Sequence, residues 1–177
     1  MTRDIPTLDA VLQAHALALG GDLTGYRNHT YRVANLCLAL SAESSGAFEK
    51  IAIAAAFHDL GIWTHRTFDY IQPSIDLATA HLSSTGRSAW ITEIAAMIRE
   101  HHRISPCRGA ESALVETFRR ADWIDVTRGV LTFGVPRRLV RELYATWPDA
   151  GFHARLLQLS LQRLRTHPLN PLPMVRW

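Results

Sequence analysis

The segment "IAIAAAFHDLGIW", residues 51–63, is small or apolar apart from His58 and Asp59. An imidazole beside a carboxylate in such a setting needs compensation, because buried charge persists only when it is paired or bound to a metal. Other residues of metal-binding type recur at helical spacing. His29 shares a row with Val33, Leu36 and Leu40, and His81 follows Ser74 and Ala78 and precedes Thr85. His101 falls with Ile91, Ile94 and Ile98, His102 follows Ile98 by four, and Asp122 shares a face with Val115 and Phe118. Spacing of three and four puts each on the inward stripe of its helix. Imidazoles and carboxylates without thiolates suit zinc, iron, manganese, cobalt or nickel. Ligands spread over five helices can meet only at the centre of a bundle. Asp125, one turn beyond Asp122, is expected to form a salt bridge or to orient one of the imidazoles.

The elements that must carry these residues are all helical. Periodicity near 3.6 recurs along the chain without two-residue alternation or hairpin signals, which predicts an all-α fold of seven or eight helices. Thr7 is expected to cap a first helix ending at Gly20-Gly21, and a second should run from near Tyr26 to Ser44-Ser45-Gly46. A third covers 47–60, a fourth starts at Pro73-Ser74 and ends near Gly86, and a fifth runs from Ser88 to His101-His102. Gly109 precedes a sixth that continues past Asp122, and Pro136 and Pro148 bracket a later one. The tail "HPLNPLPMVRW" holds three prolines and reads as an extended strap pinned by Met174, Val175 and Trp177. With no repeat or linker, one domain over 1–177 is expected: a metal-binding core at 26–126 and C-terminal helices plus strap at 136–177.

Composition narrows the classes. The chain has 177 residues, 47% of them hydrophobic and 20% charged, as in ordinary globular proteins, and no run reaches the roughly 18 apolar residues of a membrane span. The N-terminus lacks the apolar region of a secretory signal, so a cytoplasmic location is expected. Two isolated cysteines, Cys37 and Cys107, fit a reducing compartment and make no metal motif. A net charge of +3 is compatible with an anionic small molecule and too weak to indicate nucleic acid.

In this order and context the residues resemble the HD-domain superfamily, with its pattern H…HD…D. His29 matches the first histidine, His58-Asp59 in "FHDLG" the doublet, and Asp122 in "RRADWID" the final aspartate, over roughly residues 26–126. His81 and the pair His101-His102 in "IREHHR" are similar to the added histidines of binuclear members. The resemblance implies two divalent metals: one held by His29, His58, Asp59 and Asp122, the other by Asp59, His81 and His101, with His102 as the alternative. Two departures stand out. Ile62 occupies the place of a lysine common in phosphodiesterase members, and "HHRISPCRG" lacks the GYP signature of the cyclic dinucleotide group.

The implied activity is hydrolysis of a phosphate ester from a nucleotide or another small phosphorylated metabolite, with metal-activated water and in-line attack. His58 and Asp59 would serve that chemistry through the metals. Arg66 and Arg103 are the leading phosphate contacts among a set that includes Arg32, Arg99, Arg119 and Arg120. A mixed-valence diiron oxygenase acting on a small hydroxylated or phosphonate substrate is the alternative, and a metal-bearing binding or sensor module the third. The expected partners are a small phosphorylated substrate and a second copy in a homodimer, with no membrane.

Overall fold

A computed structural model describes residues 1–41, 45–107 and 113–176. Gly109, expected to precede the sixth helix, and Trp177 lie outside the described residues. Among these residues the protein is all-α, with no strand. The helices are α1 (Pro6–Ala14), α2 (Ala16–Leu19), α3 (Leu23–Leu40), α4 (Ser45–Phe57), α5 (Gly61–Thr64), α6 (Ile71–Ser84), α7 (Ile91–Glu100), α8 (Ala113–Val126), α9 (Arg137–Thr146) and α10 (Phe152–Thr166). None is long and apolar enough to cross a membrane.

Helix α4 explains the architecture. Its residues Ile51 to Ala56 are apolar on every side, and all six are fully buried. A helix without a polar face belongs in the middle of a bundle. Accordingly α1, α3, α6, α7 and α8 all pack against it. Its C-terminal end delivers His58 and Asp59 to the centre. Gly61 then turns the chain into α5, where a Cβ would lie 2.6 Å from the Tyr70 carbonyl oxygen and 3.0 Å from Ser74 Oγ. Ser74 Oγ accepts the Gly61 N–H at 3.0 Å, which fixes the turn that follows the doublet.

Several boundaries differ from expectation for local reasons. α1 starts two residues early because Pro6 suits the first helical position. Thr7 is therefore inside the helix, and its hydroxyl donates to Glu49 at 2.7 Å instead of capping. The stretch expected to finish the first helix divides into α2 and a 3-10 turn over Gly20–Asp22. α3 begins at Leu23, directly after that turn. The strap is non-helical but turns at 168–169 and 173–174 instead of running extended; Met174 is buried, and the Ile104 N–H donates to the Arg176 carbonyl at 2.8 Å.

Candidate metal centre

Helices α3, α4 and α8, with the turn after α7, bring a set of polar side chains into the apolar interior. His29, His58, His101 and Asp122 are completely buried, and Asp59 is nearly so. His29 Nε2 and His58 Nε2 face each other at 2.9 Å. Asp59 Oδ2 lies 3.4 Å from His58 Nε2 and 3.8 Å from His29 Nε2. Asp122 Oδ1 lies 3.7 Å from His58 Nε2 and 3.6 Å from His29 Nε2. Ligands bound at ~2.1 Å to one ion are ~3.0–3.4 Å apart in octahedral or tetrahedral arrangements. The four donors are close to that spacing.

The other ring nitrogens fix which atoms face inward. His58 Nδ1 contacts the Ala55 carbonyl at 2.8 Å and His101 Nδ1 the Ile98 carbonyl at 2.7 Å. A carbonyl only accepts, so both Nδ1 atoms carry hydrogen, and the inward Nε2 atoms of the neutral rings carry lone pairs. His29 Nδ1 likewise donates to Asp125 Oδ2 at 2.7 Å. Two lone pairs at 2.9 Å repel unless a proton or a cation lies between them. Asp59 Oδ1, His101 Nε2 and both oxygens of Asp122 have no hydrogen-bond partner although fully buried. Such orphans are costly and need an explanation. A divalent cation supplies one, and the donor set is chemically suited to it.

Two groups of ligand atoms are close enough to hold an ion, each within 4.8 Å: His29 with His58 and Asp59, and Asp59 with His101 and His102. Asp59 belongs to both, with Oδ1 3.4 Å from His101 Nε2. His102 is not the surplus member of its pair. Its Nδ1 is 3.3 Å from Asp122 Oδ2, and its Nε2 is 2.8 Å from the Tyr70 hydroxyl. Burial, reinforced by the adjacent His101, pushes the His102 pKa down to about 3, so its contact with Asp122 is not an ion pair.

The electrostatics of the metal-free cluster follow from its geometry. Burial alone would lower the His58 pKa, but the Asp59 and Asp122 carboxylates outweigh it and raise it to about 9. Burial lowers that of His29. Burial opposes ionisation of Asp59 and Asp122 as well, yet the surrounding histidines hold both below the usual carboxylate range. One proton on His58 thus occupies the role of the cation. Metal must displace it, so apparent affinity should rise about tenfold per pH unit between neutrality and pH 9. Calorimetry in buffers of different ionisation enthalpy should show close to one proton released per ion at pH 7. The sign for folding is opposite: the stability contributed by charged His58 is complete below its ordinary pKa of 6.5 and is lost as pH rises through about 9. Thermal unfolding of metal-free protein should show that decline.

Supporting residues lock the ligands. Arg32 is fully buried and grips Asp125 with two bonds, Nε to Oδ1 at 2.6 Å and an Nη to Oδ2 at 2.8 Å. Its remaining Nη donates to the Trp147 carbonyl at 2.9 Å. Burial opposes the ionisation of Asp125, and the bonds from Arg32 and His29 hold its pKa far down. The Tyr26 hydroxyl donates to the Ala56 carbonyl at 3.0 Å and accepts the Asp59 N–H at 3.3 Å. Phe152 of α10 stacks on the His29 ring, centroids 4.1 Å apart. Tyr26 and Arg32 lie three residues either side of His29, a spacing that hints at a shared face. Nothing in the sequence ties Phe152 to the site.

His81 stands apart from the cluster, although its buried Nε2 also has no hydrogen-bond partner. The buried residues of α6 include Ser74, Ala78 and Leu82, and His81 stands about 100° from Leu82 but only about 20° from Ser74, at the edge of that face. It lies against the Phe57 ring, 5.3 Å between centroids, where burial, Arg87 and His15 lower its pKa. It is in neither ligand group. His81→Ala should leave metal content unchanged in elemental analysis; loss of one ion would restore it as a ligand.

The arginines are also placed differently from expectation. Arg32 is consumed by Asp125. Arg103 Nε donates to Ser105 Oγ at 3.0 Å, and its carbonyl accepts from Arg119 and Trp123. Arg119 is spent on Glu116, as is Arg120. Arg66, at a backbone φ of 51°, lines a 530 Å³ cavity with Arg155 and Arg163. The cavity that includes His102 is a different one of 330 Å³, and neither Arg66 nor Arg103 lines it.

No curated protein and no solved structure shows a significant match to the chain. The family model described as HD domain matches residues 26–127, which contain every buried ligand above and more than half of the chain. The protein therefore belongs to the HD-domain superfamily of metal-dependent phosphohydrolases, whose members bind divalent metals.

Proposed function

We propose that the protein hydrolyses a phosphate ester of a small phosphorylated molecule, using one or two divalent metals at this cluster. The observation that carries the reading is the convergence of buried, unpartnered donor atoms from Asp59, His101 and Asp122 beside the facing nitrogens of His29 and His58. His29, His58, Asp59 and Asp122 would hold one ion, and Asp59, His101 and His102 a second. Metal bound there supplies Lewis acidity toward phosphoryl oxygens and activation of water.

The chain's own residues do the rest. Asp125 and the two backbone carbonyls keep each imidazole in the tautomer that offers Nε2. Tyr70, 1% exposed, keeps its hydroxyl against His102, and burial with the nearby Asp59 carboxylate raises its pKa well above the ordinary value. A neutral phenol and a neutral imidazole thus flank the carboxylates on the side of the 330 Å³ cavity. They can orient a substrate oxygen or a water without adding charge. The surrounding apolar packing excludes bulk solvent and strengthens every polar interaction inside.

An oxidative reaction at a diiron centre is the second reading, favoured by the second group of ligand atoms that His101 and His102 form with Asp59. Phosphate release from an ester panel by protein loaded with manganese, cobalt or zinc tests the proposal. Release that chelator abolishes and Asp59→Ala eliminates is expected. Tight ligand binding without turnover would favour a binding module, and substrate-dependent oxygen uptake by iron-loaded protein would favour an oxygenase.

A further inference from the structure

The cavity beside His102 constrains what the centre accepts. Tyr70 and His102 form its polar floor, toward Asp59 and Asp122. Its walls are Trp123 of α8, Leu156 and Leu157 of α10, and Leu172, Met174 and Val175 of the strap. No lysine, arginine, aspartate or glutamate lines it, and its other polar side chains are Ser160 and His153, whose two ring nitrogens meet Asp149 and the Asp125 carbonyl. Its volume of 330 Å³ is at the small end of the roughly 300–1,000 Å³ of ligand pockets. The cationic side chains nearby face elsewhere: Arg66, Arg155 and Arg163 line the neighbouring cavity, which shares only Phe68 with this one. Arg163 and Arg155 are moreover paired with Asp69 and Asp22.

We infer that the substrate carries a single phosphate-type group for the metals, joined to a compact, uncharged and largely apolar organic group that fills this cavity. The inference rests on the proposed function for the reaction: water adds hydroxyl to phosphorus, the ester P–O bond breaks, and the released alcohol takes the remaining proton. A nucleoside polyphosphate or a second carboxylate would instead press extra charge against leucine and methionine with no lysine or arginine to meet it, which is unfavourable. Apolar surface on the leaving group gains by burial in the same place. Much of the discriminating wall is contributed by α10 and the strap, beyond the family match that ends at residue 127.

Calorimetric titration of manganese-loaded protein with two non-hydrolysable probes tests this without requiring turnover. Phenylphosphonate presents a ring to the cavity, and phosphonoacetate presents a carboxylate. Phenylphosphonate should bind at least about tenfold more tightly. Leu157 and Leu172 are 61% and 44% exposed, so Leu157→Lys with Leu172→Lys should fold and keep its metal. That variant should lose the preference or reverse it. Equal binding, tighter phosphonoacetate binding or no binding of either probe by wild type would overturn the inference, as would an unchanged preference in the variant. The ring preference without hydrolysis of phenyl phosphate would sustain the cavity's selectivity while removing the hydrolase reading. Phosphate release from polar esters without the ring preference would do the reverse.

Discussion

Asp59→Ala should weaken metal binding by more than about 100-fold, beyond the roughly 10–100-fold typical for residues that only orient ligands. Among the described residues Asp59 is the one member common to both ligand groups. Its Oδ2 faces His58 and His29, and its Oδ1 faces His101 at 3.4 Å. Removing it takes an anionic ligand from either position, leaving Asp122 with two imidazoles at the first and only imidazoles at the second. His29→Ala, by contrast, deprives only the first group. Elemental analysis after dialysis distinguishes the cases: loss of all metal in Asp59→Ala is the expected result, and retained metal would show that the carboxylate is not a ligand. Circular dichroism of the same samples checks that the fold survives.

Arg32→Ala should destabilise the protein by about 3–5 kcal/mol, the usual consequence of leaving one partner of a buried ion pair alone. Arg32 and Asp125 are both fully buried, and their two short bonds hold the carboxylate that in turn holds His29 Nδ1. The carbonyls of Trp147 and Pro148 would lose their guanidinium donor as well. Urea unfolding of metal-free protein measures the effect directly, and a change below about 1 kcal/mol would mean that water replaces the arginine. Metal affinity should fall with stability, because His29 loses the anchor that sets its tautomer.

The residues of the centre were legible in the sequence to the extent that helical rows are unambiguous. His29 and Asp122 interrupt otherwise apolar stripes, and the doublet ends a helix with no polar face, so each had to point inward. His81 shows where such reasoning is ambiguous. A row beginning Ser74, Ala78 continues equally well by three or by four, and only packing of Leu82 into the core decides that His81 turns aside. Arg32 failed for another reason. An arginine on a helix is usually solvated, and its burial here depends on Asp125, 93 residues away, and on two carbonyls farther still. The apolar cavity was also beyond the sequence, because its walls join α8 to α10 and the strap. Prolines marked the strap as non-helical, but not its turns at 168–169 and 173–174 or what it covers.

The most direct measurement is anomalous diffraction from crystals grown with manganese. The account predicts a peak about 2.0–2.2 Å from the inward nitrogens of His29 and His58 and from oxygens of Asp59 and Asp122. A second peak, if present, should lie between Asp59 and His101, none of them near His81. A peak beside His81, or none among these residues while the protein is folded and manganese is abundant, would contradict the assignment of this cluster as the metal centre.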